Sequence, residues 1–482
     1  MGRLSAVSLI FACGTALFSD GYANGIIGAV NTILTRLYPG SKFGTQSYSD
    51  ILTSIAFAGT VCGMLLFGWI SDKVGRKAGM MSAALIVALF SALSAGSVGM
   101  KDNVSGTIAF LCVCRFILGI GVGAEYPCGS VSASEQTEQE GIAKNAQHRW
   151  LVLATNTMID VGFVIAAFVP LVLYWIFGDN HLRAVWGLSL GLGAIPAFAV
   201  LLWRLRMEEP ECYKKNSMKA VRIPYGLALA RYWKSLLGLS LAWFIYDFIT
   251  YPFGIYSSTI TNNVTGGSSS LTVVFGWAVV INLFDIPGTV LGAFFIDYIG
   301  PKNTMACITH RQIFGLLSQA VIGFIMSGLY SPLTNHIAAF AVVYGIFLSL
   351  GELGPGNCLG VLAAKTAPTA VRGQFYGIAA AIGKVGAFVG TWVFPQIINA
   401  FGGSKTEKGN TGPFWIGSGL AVVSALVTFL LVKPLTHDGM KAEDEAFRQY
   451  LEEHGFDVSV MGIPGNVSSA ASDMEKDDKL AA

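Results

Sequence analysis

Residues 204–235 read RLRMEEPECYKKNSMKAVRIPYGLALARYWKS, the longest charged segment in a chain of which only 12% is Asp, Glu, Lys or Arg. Nothing in it is long and apolar enough to cross a bilayer, and its flanks consist of little else. Windows of roughly 20 apolar residues fall six on each side, near 5–27, 50–70, 78–98, 105–131, 150–176 and 185–203 before it, and near 236–258, 271–296, 304–328, 336–359, 372–398 and 413–432 after it. The reading is an all-α membrane protein of twelve transmembrane helices: a six-helix half over 1–203, a linker over 204–235, a second half over 236–434 and a tail over 435–482.

Composition supports the same class. With 53% hydrophobic residues, 57 glycines and a mean hydropathy of +0.58, the chain lies far from the mix of a soluble globular protein. Small residues let membrane helices approach closely, and Gly119 with Gly123 forms such a face. A formal charge of +2 points to no nucleic-acid partner. The eight cysteines lie mostly in apolar runs without metal-ligand spacing, so neither a disulfide framework, a metal nor a cofactor is expected. No nucleophile and base arrangement appears in the spans, which argues against an enzyme.

Basic residues orient the chain. With the N-terminus placed in the cytoplasm, seventeen Lys and Arg fall in inside loops against six outside, the bias that fixes topology. Both termini are then cytoplasmic, and the sequons at Asn103 and Asn263 face out. The tail reads as a short charged helix followed by disorder.

The two halves share a spacing. Asp72 in SDKVGRK matches Asp297 in IDYIGPK at 225 residues, Asp160 faces Lys384 at 224, and Asp20 with Asp247 and Glu125 with Glu352 both lie 227 apart. Repeats of six helices about an axis along the membrane normal form one transporter architecture, with the substrate held between the halves near the midplane.

Those residues carry a resemblance. GWISDKVGRK over 68–77, RFILGIGVGAEYP over 115–127 and MEEPE over 207–211 resemble the major facilitator superfamily. GAEYPCGSVSASE over 123–135 and WFIYDFITYPFGIYSS over 243–258 are similar to its phosphate:proton symporter branch, and within it to fungal glycerophosphodiester permeases such as those for glycerophosphoinositol. Phosphate carriers usually have aspartate where Glu125 stands and glutamine close to Asp160, so these departures favour an organic phosphodiester. The resemblance implies a plasma-membrane proton symporter, working as a monomer, that imports glycerophosphoinositol or glycerophosphocholine. Inorganic phosphate:proton symport and a non-transporting nutrient sensor are the alternatives. The sensor is disfavoured because every coupling acid and both buried bases are present.

Ionisable groups within spans cost roughly 3 kcal/mol each, so they are expected to face a polar cavity. Arg115 and Lys384 are the basic groups deep in spans and the candidate anion anchors. The resemblance adds Tyr126, Trp243, Asp247, Tyr251 and Asn357, whose counterparts contact substrate in phosphate carriers, and Asp160 completes the set. Asp20, Glu125, Asp247 and Glu352 are the proton-coupling candidates. Asp72, Gly75, Arg76, Lys77 and Asp297 are read as gating residues. Helical rise puts Asp20 level with Arg115, and the repeat sets Asp160 opposite Lys384. Two ion pairs are therefore expected, Asp20 with Arg115 and Asp160 with Lys384. Asp285 is read as a partner for another buried charge, and the head group stays open between choline and inositol.

Overall fold

The structure, a computed structural model, describes residues 5–39, 47–97, 103–139, 141–264, 270–306, 308–309, 312–313, 315–435 and 439–462. Among the described residues, eleven helices are long and apolar enough to cross a membrane: α1 (Ala6–Leu37), α2 (Tyr48–Lys73), α3 (Arg76–Ala95), α4 (Val104–Thr137), α5 (Lys144–Phe177), α6 (Asp179–Arg204), α7 (Tyr225–Ile255), α8 (Leu271–Ile299), α10 (Ile337–Thr366), α11 (Arg372–Ala400) and α12 (Glu407–Leu431). The shorter α9 (Leu316–Gly328) completes twelve, and a tail helix, α13 (Gly439–Glu453), follows.

Several boundaries differ from expectation: α1 runs past its window to Leu37, and the ninth and seventh spans depart in opposite ways. The window 304–328 is not one helix, since a short helix (Pro301–Ala306) and a two-residue hairpin (Ile308–Thr309 with Gln312–Ile313) precede the 13 residues of α9. Polar residues in CITHRQ over 307–312 interrupt the apolar run. At 1.5 Å per residue, α9 covers about 20 Å, short of a core ~30 Å thick. Helix α7, by contrast, starts at Tyr225, well inside the segment read as linker. Its first turns are held because Tyr232 stacks edge-on against Phe375 of α11 and meets Phe447 of α13.

Corresponding helices pack in corresponding pairs: α1 with α5 and α7 with α11, α2 with α4 and α8 with α10, α3 with α6 and α9 with α12. Between the sets, α2 meets α11 and α5 meets α8. Glycine sets the closest approaches. A Cβ on Gly119 or Gly123 would lie 2.2 Å from the carbonyl of Ala56 or Thr60 in α2, so the small-residue face read in the sequence does pack helix on helix. At the α2–α11 contact, a Cβ on Gly377 would lie 2.5 Å from the carbonyl of Met64.

Helices α4 and α10 each widen into one π turn, at Tyr126–Ser130 and Glu352–Gly356, starting 226 residues apart. Pro127 and Pro355 sit in these turns, where a missing N–H and a ring clash disrupt the α ladder. Helical turns of this kind often mark functional positions. The first brings Tyr126 and the second Glu352 to the cavity between the helix sets. The part of the tail read as disorder, beyond residue 462, lies outside the described residues.

Candidate functional site

A cavity of about 60 Å³ lies between the two helix sets. That is room for a few waters and no organic ester, so loading a substrate requires the halves to part. Tyr126, Asp160, Trp243, Asp247, Tyr251, Glu352, Asn357 and Lys384 all line it, together with Asn156, Tyr246, Asp285 and Tyr376. Eight of the residues singled out from the sequence thus converge on one chamber.

Lys384 of α11 is the one cation lining this cavity among the described residues. Its Nζ stands 3.2 Å from Asp20 Oδ2 and 3.6 Å from Asp247 Oδ2, and it also bonds the Tyr251 hydroxyl. Asp20, fully buried just behind the cavity wall, accepts from Asn24 at 2.6 Å, from Tyr251 at 2.8 Å and from the Tyr126 hydroxyl. The ammonium is therefore shared by two carboxylates from α1 and α7, and Tyr126 and Tyr251 lie on either side as neutral donors. A charge so held is ready to exchange partners with an incoming anion.

Both expected ion pairs are corrected. Asp20 pairs with Lys384 and not with Arg115, because Lys384 reaches across from the opposite helix set and takes that position. Arg115 instead donates Nε to the Leu52 carbonyl at 2.9 Å and Nη1 to the Ala23 carbonyl at 3.1 Å. It borders a separate small void with Ser19, Tyr22, Ser91 and Ser94, and does not reach the central cavity. Asp160 does not pair with Lys384 either. It sits beside Asn156, whose amide also donates to Glu352 at 2.9 Å and to Asn357 Oδ1 at 3.0 Å. Glu352 accepts a second bond, 2.6 Å, from the Tyr246 hydroxyl.

Glu125 and Glu352 share a repeat position and have different surroundings. Glu125 is clamped by Arg204, two bonds of 2.7 Å, and lies away from the central cavity. Arg204 opens the segment read as linker, and its place one residue past an apolar run is the signal the sequence offers. Asn156, Thr289 and Tyr246 were also missed, because neutral polar groups in a span carry no mark of the partner they will find.

The gating candidates gather at the end of the bundle that carries the basic loops. Asp72 accepts from the backbone amides of Gly373 and Gln374, 2.8 Å each, and pairs with Arg76 at 2.8 Å. Arg76 and Arg372 both pair with Glu135 at 3.0 Å, which ties α3 and α11 to α4. Glu209 caps the start of α3 through the amides of Arg76 and Lys77, 3.1 Å each, and burial pushes its carboxyl above the ordinary glutamate value. Gly75 turns with φ 143° against that carboxylate, a conformation that disfavours other residues. Asp297 accepts from the amides of His148 and Arg149 at 3.1 and 3.2 Å. Asp444 of α13 joins the cluster through Thr369, at 2.6 and 2.7 Å, and through Asn216 at 2.9 Å.

The sequence matches the family described as Sugar (and other) transporter over residues 7–222 and 214–447. Glycerophosphocholine permease GIT4 of Candida albicans is 44% identical over 480 residues, which cover 98% of this chain and 88% of that one. Major glycerophosphoinositol permease GIT3 of the same organism is 43% identical over 474 residues, 97% of this chain and 86% of that one. Among solved structures, the proton:xylose symporter XylE bound to 6-bromo-6-deoxy-D-glucose has a TM-score of 0.72 at 18% identity, covering 92% of this chain and 98% of that one, a likeness of fold. Matched along nearly its whole length by permeases, and carrying one polar chamber between two sets of six helices, this chain belongs to the sugar (and other) transporter family of the major facilitator superfamily and is a multi-pass membrane transporter, not an enzyme.

Proposed function

We propose that the protein imports glycerophosphodiesters across the plasma membrane together with protons, by alternating access around the central cavity. The observation that carries this reading is Lys384, held between Asp20 and Asp247 in a chamber it lines as the one cation among the described residues. A phosphodiester is a monoanion with good acceptors, and it can take over the ammonium while Tyr126, Trp243, Tyr251 and Asn357 donate to its oxygens. The relatives named for glycerophosphocholine and glycerophosphoinositol support this substrate class.

Charge balance supports the coupling. Asp160, Asp247, Asp285 and Glu352 line the chamber against a single Lys384. An anion that displaces Asp20 and Asp247 from the ammonium leaves carboxylates facing its own charge in a low-dielectric space, and protons arriving with it remove that repulsion. Asp247, which touches Lys384 from α7, is the principal proton carrier, with Asp20 and Glu352 beside it. Glu125, clamped by Arg204, acts as a fixed strut in this scheme. The basic end faces the cytoplasm, with both termini, and its Asp72, Arg76 and Asp297 contacts close that side of a single working chain.

Uptake of labelled glycerophosphocholine and glycerophosphoinositol into cells expressing the chain tests this. Flux is expected to rise as external pH falls and to collapse with a protonophore. Uptake of neither ester, or flux indifferent to both treatments, removes the proposal.

A further inference from the structure

Lys384 and Asp160 occupy equivalent positions of the repeat, yet they stand at different places in the cavity wall with opposite charge. Around Lys384 the cation is already matched, by Asp20 and Asp247. Around Asp160 no cation forms a hydrogen bond or ion pair with it among the described residues. Its neighbours are Asn156, which donates an amide to both Asp160 and Glu352, and Tyr246, which donates its hydroxyl to Glu352. Beside them lies Asp285, at the start of the second segment of α8. This carboxyl is 7% exposed, borders the cavity, and makes no hydrogen bond or ion pair among the described residues. Asp160 and Glu352, at 3% and 8%, are as deeply set.

We infer that Asp160, Asp285 and Glu352 form a subsite for a cationic head group, so that the preferred substrate is a zwitterionic glycerophosphodiester bearing an ammonium. The inference rests on the proposed phosphodiester transport and specifies its substrate. Phosphate at Lys384 fixes one end of the molecule, and the glycerol spans the middle of the chamber. The head group then lies against three carboxyls, of which Asp160 and Glu352 accept from neutral donors and Asp285 makes no hydrogen bond among the described residues. A polyol can hydrogen-bond to carboxylates but leaves their charge uncompensated, whereas an ammonium offsets it. Phe163 and Tyr246 also line the cavity and offer ring faces of the kind that accommodate quaternary ammonium groups. The two halves have thus become unlike ends of one site, one reading the anion and the other the cation.

The competing reading is that the three acids only store protons, and uptake ratios separate the two. In cells expressing the full chain, glycerophosphocholine and glycerophosphoethanolamine are expected to outcompete glycerophosphoinositol for entry. Asp285→Asn is expected to lower the choline-to-inositol uptake ratio by roughly tenfold, the loss of one close charge contact of about 1.4 kcal/mol, while uptake of the inositol ester keeps its dependence on external pH. Asp160→Asn, next to the same amide, is expected to shift the ratio in the same direction and serves if Asp285→Asn fails to reach the surface. A wild-type preference for the inositol ester overturns the inference. So does a variant that loses both esters in proportion with a flattened pH profile. Uptake of neither ester by the wild type sinks the underlying phosphodiester reading, and this inference with it.

Discussion

Asp72 and Asp297 perform the same task 225 residues apart: each carboxylate receives two consecutive backbone amides at the start of a helix in the opposite set, Gly373 and Gln374 for Asp72, His148 and Arg149 for Asp297. The donating amides are themselves 225 residues apart. First-turn N–H groups have no partner inside their own helix and carry the positive end of its dipole, so an acid from across the interface satisfies both needs. Replacing either acid by Asn removes a charge–dipole term of roughly 0.5–1 kcal/mol. Asp72→Asn is expected to cost more, since it also strips Arg76 of one of its two carboxylates. Melting temperatures in detergent check the order: both variants below wild type, Asp72→Asn lowest. An Asp297→Asn protein as stable as wild type would break the equivalence.

Lys384→Met leaves Asp20 and Asp247 buried with no cation, and an uncompensated buried charge costs about 3–5 kcal/mol. Poor surface expression and no uptake are expected. The geometry identifies the rescuing partner: adding Asp20→Asn restores expression without restoring uptake, and adding Asp160→Asn does not, because Asp160 is not paired with Lys384. Fluorescence-detected chromatography of the three variants decides it, and rescue by Asp160→Asn instead would refute the pairing.

The Glu125–Arg204 clamp predicts a mutual dependence of similar size. Glu125→Gln or Arg204→Met alone strands a buried partner; the pair replaced together, with apolar groups of similar volume, recovers most of the loss. Melting curves of the single and double variants measure the coupling. If Glu125 carried the transported proton instead, the double variant would fold well and still lose its response to external pH.

Asp444 gives a pH dependence outside the membrane. Burial raises its carboxyl above the ordinary 3.8, despite the opposing pull of Arg372 and the bonds from Thr369. A raised value in the folded state means that folding favours the protonated form, so this group's contribution to stability falls as pH rises from 3.8 through the raised value. Asp444→Asn is expected to flatten the pH dependence of melting on the rising side of 3.8. An unchanged slope would show that α13 docks through its apolar contacts alone.

The bundle was legible because the membrane permits few alternatives: a span must be long, apolar and helical, and eleven of the twelve windows carry a helix of spanning length. The ninth was not, since THRQ over 309–312 breaks a run whose average hydropathy still looks sufficient. Charge in spans located the cavity for a similar reason, as isolated buried charges are too costly to be incidental. Pairing was illegible. Helical rise gives depth but not azimuth, so Asp20 and Arg115 could be placed at one level without revealing that Lys384 lies closer. Glu125 matched Glu352 in position, yet only the path of α6 shows that Arg204 comes back to meet it. Glu135 just past its apolar window, Glu209 in the linker and Arg372 at the first position of α11 gave no sign that the basic end would fold them inward.

The seam between α2 and α11 has a mechanical meaning. Gly377 faces the Met64 carbonyl where even a methyl would sit at 2.5 Å, and Gly68 lies against Gly373 and Gln374. At these positions backbone lies close on backbone, as small residues allow between membrane helices. In the proposed cycle the charged contacts a few residues away, Asp72 with the Gly373 and Gln374 amides and with Arg76, act as the latch and the glycines as the doorframe. One carbon added to the frame would keep the door ajar, which makes this seam the place where a single substitution can trap one face of the transport cycle for study.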